Sequence, residues 1–132
     1  MDVLTLQKST ETFLNEASEE NELAMLHDIA TLIIQNSKVM IDGKEIVGGI
    51  DPSIIEADTD HRFYINIYTS KQKFDECNGK QAYVISLYDL LSPVMEKETF
   101  GGLTINYKKK EECVLVPKEM ILETLMNIQN NA

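Results

Sequence analysis

From Ser18 to Asn36 the apolar residues Leu23, Leu26, Ala30, Ile33 and Ile34 recur at helical spacing, flanked by Met25, Ile29 and Leu32. That pattern predicts a helix with a broad buried face. Ser18 followed by Glu19 and Glu20 marks its start, with an N-cap oxygen and carboxylates near the positive end of the helix dipole. No other segment constrains the fold as strongly. Residues 3 to 16, with Leu4, Leu6, Phe13 and Leu14 among polar side chains, read as a second, more modest amphipathic helix before it.

Beyond Asn36 the apolar period changes. Lys38-Val39-Met40-Ile41 reads as a short strand ending at an Asp42-Gly43 turn, and residues 44 to 50 can return as a second strand. Asp51 to Asp60, with one proline, four carboxylates and no clear period, reads as a loop. Phe63-Tyr64-Ile65-Asn66-Ile67-Tyr68 has the β-branched and aromatic content of a central strand. Thr69-Ser70 supplies a cap for a short helix from Lys71 to Cys77, which Asn78-Gly79 terminates.

Tyr83-Val84-Ile85 is the next strand, and Leu87, Leu90, Leu91, Val94 and Met95 give a following helical face. Pro93 leaves two possibilities, a fresh helix capped by Ser92 or two short turns. Gly101-Gly102 is expected to break the chain before Leu103 to Tyr107, which pairs as a hairpin with Cys113 to Val116 across the charged turn at residues 108 to 112. Pro117 opens a last helix with Ile121, Leu122, Leu125, Met126 and Ile128 as its apolar set. The expected class is α/β (α+β): one domain over residues 1 to 132, with a mixed sheet of about four to six strands flanked by helices.

Charge and cysteine content narrow the functions. The net charge of −10 argues against nucleic acid or an anionic membrane as partner, because neutralising phosphates takes clustered Lys and Arg. Residues 1 to 62 hold four basic side chains (Lys8, Lys38, Lys44, Arg62) against thirteen acidic, net −9, while residues 63 to 132 hold eight against nine, net −1. Such asymmetry would make one face strongly negative, although solubility alone accounts for an acidic balance. The amino terminus lacks a basic start followed by an apolar stretch, so no secretory signal is visible. The apolar patch around Ile29 to Ile34 is far shorter than a bilayer span of ~20 residues. Two cysteines, Cys77 and Cys113, are too few for a disulfide framework and read as reduced thiols in a cytoplasm.

His27 borders the apolar helix face and reads as a boundary residue. His61 beside Asp58 and Asp60 has the composition of a metal site but lacks the glycine and terminal glutamate of a calcium loop. Cys77 stands at the carboxyl end of its helix beside Asp75 and Glu76, where a thiolate is disfavoured, and Cys113 reads as strand core. Gly48-Gly49 and Gly101-Gly102 lack the spacing and lysine of a nucleotide loop and read as turns. Lys108-Lys109-Lys110, followed directly by Glu111 and Glu112, reads as a solvated tip. Five tyrosines (64, 68, 83, 88, 107) fall in the sheet half, mostly as core, with any exposed ones suited to protein contacts. No catalytic, cofactor-binding or metal-ligating residue is assigned, and no cofactor is expected.

The element order resembles the SseB amino-terminal domain family. The resemblance rests on Tyr68-Thr69-Ser70, the strand-helix unit around Tyr83 to Leu91, Gly102-Leu103-Thr104-Ile105-Asn106, and Leu115-Val116-Pro117-Lys118-Glu119. The family's usual proline after the strand asparagine is replaced here by Tyr107. The resemblance implies a mixed sheet flanked by helices and no established enzymatic role.

The leading functional expectation is a non-catalytic module that binds a protein partner by its acidic surface, one version being an immunity-type antagonist of a basic toxin or nuclease. The competing expectation is a small-molecule- or metal-responsive domain with a cleft at the strand carboxyl ends near Thr69-Ser70 and Asn106.

Overall fold

The computed structural model describes residues 3 to 108 and 114 to 130. The chain opens with α1 (Val3–Asn15) and α2 (Glu19–Ile34), followed by β1 (Lys38–Ile46), β2 (Gly49–Pro52), β3 (Ile54–Glu56) and β4 (Phe63–Ile67). It continues through α3 (Lys71–Glu76), β5 (Ala82–Ser86), α4 (Leu87–Leu91), β6 (Phe100–Ile105), β7 (Leu115–Pro117) and α5 (Lys118–Asn130). The class is the expected α/β arrangement with mixed sheet content. Among the described residues the strands form two sheets, a three-stranded one ordered β2-β1-β5 and a four-stranded one ordered β3-β4-β6-β7. Among the described strands only β4 and β6 pair in parallel. Met40 and Tyr68 link the two sheets, each backbone N–H donating to the other's carbonyl at 3.4 and 2.8 Å.

Local chemistry explains most boundaries. Three serines cap three helices. Ser18 Oγ accepts from Asn21 N at 3.1 Å, Ser70 Oγ from Lys73 N at 3.1 Å, and Ser86 Oγ from Asp89 N at 3.0 Å. Asn36 and Asn78 follow α2 and α3 in the left-handed region, at φ 54° and 62°. The next residues, Ser37 and Gly79, donate back to Leu32 and Phe74 at 2.9 Å, closing the helix ends.

Helices cover the sheets with one continuous core. Leu6 from α1, Met25, Leu26, Ile29 and Leu32 from α2, Leu87 and Leu90 from α4, and Ile121 from α5 meet Val39, Ile41, Ile65, Ile67, Leu103 and Ile105 of the strands. Every residue of β6 is buried, as befits a central strand covered on both faces. Among the described residues no helix is long and apolar enough to cross a membrane.

Several sequence expectations are corrected. Asp42-Gly43 is not a turn: β1 runs straight through it to Ile46, and the reversal comes at Val47-Gly48, with Gly48 at φ 88°. Gly43 answers a close approach, because a Cβ there would lie 2.8 Å from the Asp51 carbonyl oxygen of β2. The returning strand accordingly starts at Gly49 rather than at residue 44, and residues 51 to 60 contain the end of β2 and all of β3, which pairs with β4. Gly101-Gly102 does not interrupt the chain before a strand but lies within β6. Gly102 has φ 149° and sits so near β7 that a Cβ would fall on the Val116 carbonyl oxygen. The buried face of α2 is turned from the expected one. Met25, Leu26, Ile29, Ala30 and Leu32 are inside, while Leu23 and Ile34 are exposed. Leu4, Leu14, Leu122 and Met126 are likewise exposed. After Leu91 the chain forms turns, the second of the two possibilities at Pro93. Cys113 and the lysines and glutamates at 109 to 112 lie outside the described residues.

Candidate functional site

The two parallel strands end together, and their carboxyl ends carry a connected polar network. Asn106 N donates to the Ile67 carbonyl at 2.8 Å, holding the exits of β4 and β6 side by side. Asn106 Oδ1 accepts from Thr69 N at 3.0 Å and its Nδ2 donates to Thr69 Oγ1 at 2.9 Å. The Thr69 hydroxyl in turn donates to Gln7 Oε1 of α1 at 2.7 Å. Asn66, buried in β4, accepts from the Thr104 hydroxyl at 2.9 Å and from Tyr107 N at 3.0 Å. Of the residues expected at this place, Thr69 and Asn106 bond to each other, while Ser70 caps α3. Its central side chains are committed to one another, as buried polar groups must be, so they shape the walls rather than project free groups.

Two clefts open around this network. The larger, about 450 Å³, lies between α1, α3 and the end of β6, and is lined by Thr10, Leu14, Lys73, Cys77, Asn106 and Lys108 among others. The smaller, about 320 Å³, lies on the other side and is lined by Asp42, Ser53, Asn66, Tyr68 and Tyr107. Cys77 and Lys108 form part of both. Lys73 Nζ stands 3.4 Å from Glu76 and 3.7 Å from Glu11.

Cys77 caps the carboxyl end of α3, half-buried, and its thiol donates to the Asn106 carbonyl at 3.5 Å. Burial pushes this thiol up from its ordinary range. Lys108 and Lys73 favour the thiolate and Glu76 opposes it. Such a group is a poor nucleophile at neutral pH.

The other residues singled out in the sequence stand apart from this place. His27 is exposed on α2. His61 is exposed at φ 57° in the turn before β4. Its neighbour Asp60 is engaged by Arg62 N at 3.0 Å, Arg62 Nε at 3.1 Å and the Tyr64 hydroxyl at 2.8 Å. Arg62 also grips Glu119 of α5 with both terminal nitrogens, at 3.0 and 3.1 Å, so this acidic loop is a structural clamp. Among the described residues no group of three or more His, Cys, Asp or Glu side chains is placed to share a metal ion. Of the tyrosines, Tyr64 and Tyr68 are buried, Tyr83 and Tyr107 half-buried, and Tyr88 exposed.

Thr10, Gln7, Asn66 and Lys73 were missed from sequence. Only Asn66 carried a signal, as the one polar residue inside an otherwise apolar strand. Comparison of the chain with protein-family models, curated proteins and solved structures finds no match.

Proposed function

We propose that the chain is a non-catalytic, cytoplasmic interaction module of the SseB-like type, whose acidic amino-terminal half draws in a basic protein partner rather than nucleic acid or a membrane surface. The observation that carries this reading is at the corner between α1 and α2. Glu16, Glu19, Glu20 and Glu22 gather there, Glu16, Glu19 and Glu20 are exposed, and none makes an ion pair among the described residues. Carboxylates left without cations raise the local negative potential, which accelerates encounter with a positive surface and is screened by salt. Exposed Leu14 and Leu23 on the same two helices offer apolar area for burial once contact is made.

The element order, with paired opening helices and the Gly102 to Asn106 strand followed by a proline-led last helix, supports the SseB-like assignment. The test is affinity capture from native lysate at low and high salt, with a Glu19→Lys, Glu20→Lys, Glu22→Lys variant in parallel. The expected result is a basic protein retained at low salt and lost both at high salt and in the variant. No partner at either salt, or equal retention by the variant, overturns the proposal.

A further inference from the structure

The two sheets end in four strand edges among the described residues, β2 and β5 in one sheet and β3 and β7 in the other. A free edge is a template for another strand, and folded proteins blunt it with charge, proline or shortness. Three of the four edges are blunted in this way. β2 carries Asp51 and Pro52, while β3 and β7 are each three residues long and end in Glu56 and Pro117. β5, Ala82-Tyr83-Val84-Ile85-Ser86, has five residues with no charge and no proline. Val84 at its centre is 59% exposed.

The hydrogen bonds at the two ends of β5 fix which of its backbone groups face outward. Gly43 N donates to the Gln81 carbonyl at 3.2 Å before the strand, and Leu87 N donates to the Ser37 carbonyl at 2.9 Å after it. Gln81 and Leu87 therefore turn towards β1. Bonding alternates along an antiparallel pair, and β1 and β5 keep one register from Lys38 opposite Ser86 to Asp42 opposite Ala82. Tyr83 and Ile85 thus bond β1 through their amides and carbonyls, while the Ala82 carbonyl, the Ser86 amide and both backbone groups of Val84 point away from it.

We propose that this edge pairs with β5 of a second copy of the chain, antiparallel about a two-fold axis at Val84, so that the three-stranded sheet continues as one of six strands. In that register the strand is complementary to itself. The two Val84 residues exchange both backbone bonds, and each Ser86 amide meets the Ala82 carbonyl of the other copy. Val84 covers Val84 and Ala82 lies opposite Ser86, so no like charges oppose each other within the strands. Just beyond them, exposed Lys80 of one copy comes opposite exposed Tyr88 of the other, beside Asp89 in the first turn of α4. Neither Lys80 nor Asp89 makes an ion pair among the described residues. A cation thus meets a ring and a carboxylate at both ends of the contact, which favours a second copy over an arbitrary strand. The edge is distinct from the α1–α2 corner on which docking of a basic partner rests, so either proposal can fail without the other.

Sedimentation equilibrium of the full chain tests it, at about 0.5 M salt to screen the repulsion between chains of net charge −10. So short an edge makes a contact of the weak, transient class, and a dimer with a Kd of about 0.1 mM or tighter is expected. Val84→Pro removes the outward N–H and leaves the β1 ladder whole. It should weaken the dimer about tenfold or more, through two lost donors per dimer. Val84→Lys keeps the N–H but sets two like charges opposite each other, and should weaken the dimer about threefold or more even where the proline variant does not fold. Amide hydrogen exchange gives a second readout. The Val84 amide should gain protection as protein concentration rises, whereas the Ile85 amide, bonded within the sheet, is protected throughout. A monomer at about 1 mM protein, a dimer that a folded Val84 variant leaves as tight as before, or a Val84 amide already protected in the monomer, its edge covered from within the same chain, overturns the proposal.

Discussion

Asn106 and Thr69 exchange two hydrogen bonds across the ends of the parallel strands, the Thr69 amide donating to the asparagine Oδ1 at 3.0 Å and the asparagine Nδ2 donating to Thr69 Oγ1 at 2.9 Å. Asn106 holds the left-handed conformation, φ 51°, which asparagine tolerates better than other side chains. Asn106→Ala therefore removes two partners and strains the backbone. A loss of about 2–4 kcal/mol is expected, from unmet donors at about 1–3 and left-handed backbone at about 1. Asn106→Gly keeps the backbone relaxed and should recover roughly 1 kcal/mol of that loss. Urea unfolding of the three proteins measures both. Equal midpoints for the two variants would mean that backbone strain contributes nothing here.

Gly102 predicts a larger effect. With φ 149° and no room for a Cβ against the Val116 carbonyl, Gly102→Ala must push β7 away from β6 and carry α5 with it. The expected cost is above about 4 kcal/mol, in the range reserved for a broken core or a strained special backbone. Gly49 is the control. A Cβ there meets nothing within 4 Å, so Gly49→Ala should change stability by no more than about 1 kcal/mol in either direction. Thermal unfolding of the pair distinguishes a steric requirement from a general intolerance of alanine in these strands.

The contrast between those two glycines shows where the sequence stops being readable. The start of α2, the cap of α3 and the strand at Phe63 rest on signals within a few residues, and each is found where those signals place it, while α5 begins one residue after Pro117, which ends β7. Gly43 and Gly102 looked like punctuation because glycine usually marks turns, but each answers a contact with a different strand, which no local window contains. β3 escaped for a related reason. Three residues are too short to display a period, and Ile54 to Glu56 are strand only because β4 is beside them. The meeting of Thr69 and Asn106 at the strand ends was legible, since both follow directly on strands that the sequence marks. Thr10 and Lys73 of the larger cleft were not legible, because their meeting depends on how α1 lies against α3.

The Arg62 clamp makes stability pH-dependent in a definite sense. The Arg62 guanidinium holds the Glu119 carboxyl below its usual range, and the Arg62 amide and the Tyr64 hydroxyl, with the Arg62 side chain, do the same for Asp60. Carboxyls depressed in the folded state stabilise it fully above their unfolded values, near pH 4, and that contribution is lost as pH falls through the depressed folded values. Tm should therefore fall more steeply below pH 4 in the native protein than in Arg62→Met, while the two run parallel from pH 6 to 8. A steeper acid dependence in the variant would reverse the assignment.

The state of Cys77 bears directly on whether the strand-end cleft can do covalent chemistry. Its thiol is half-buried at the carboxyl end of α3, where the helix dipole disfavours an anion, and it donates to the Asn106 carbonyl. Burial keeps it protonated above the ordinary thiol range despite Lys108 and Lys73. In a Cys113→Ser background, alkylation by iodoacetamide at pH 7 is expected to run about tenfold or more slower than with a free cysteine, since only the thiolate reacts and access is limited. Because the two lysines are what favours the thiolate, Lys73→Met and Lys108→Met should each slow the reaction further, and urea should restore the free rate. Faster alkylation than a free thiol at pH 7 would mark an activated nucleophile and overturn this account of Cys77.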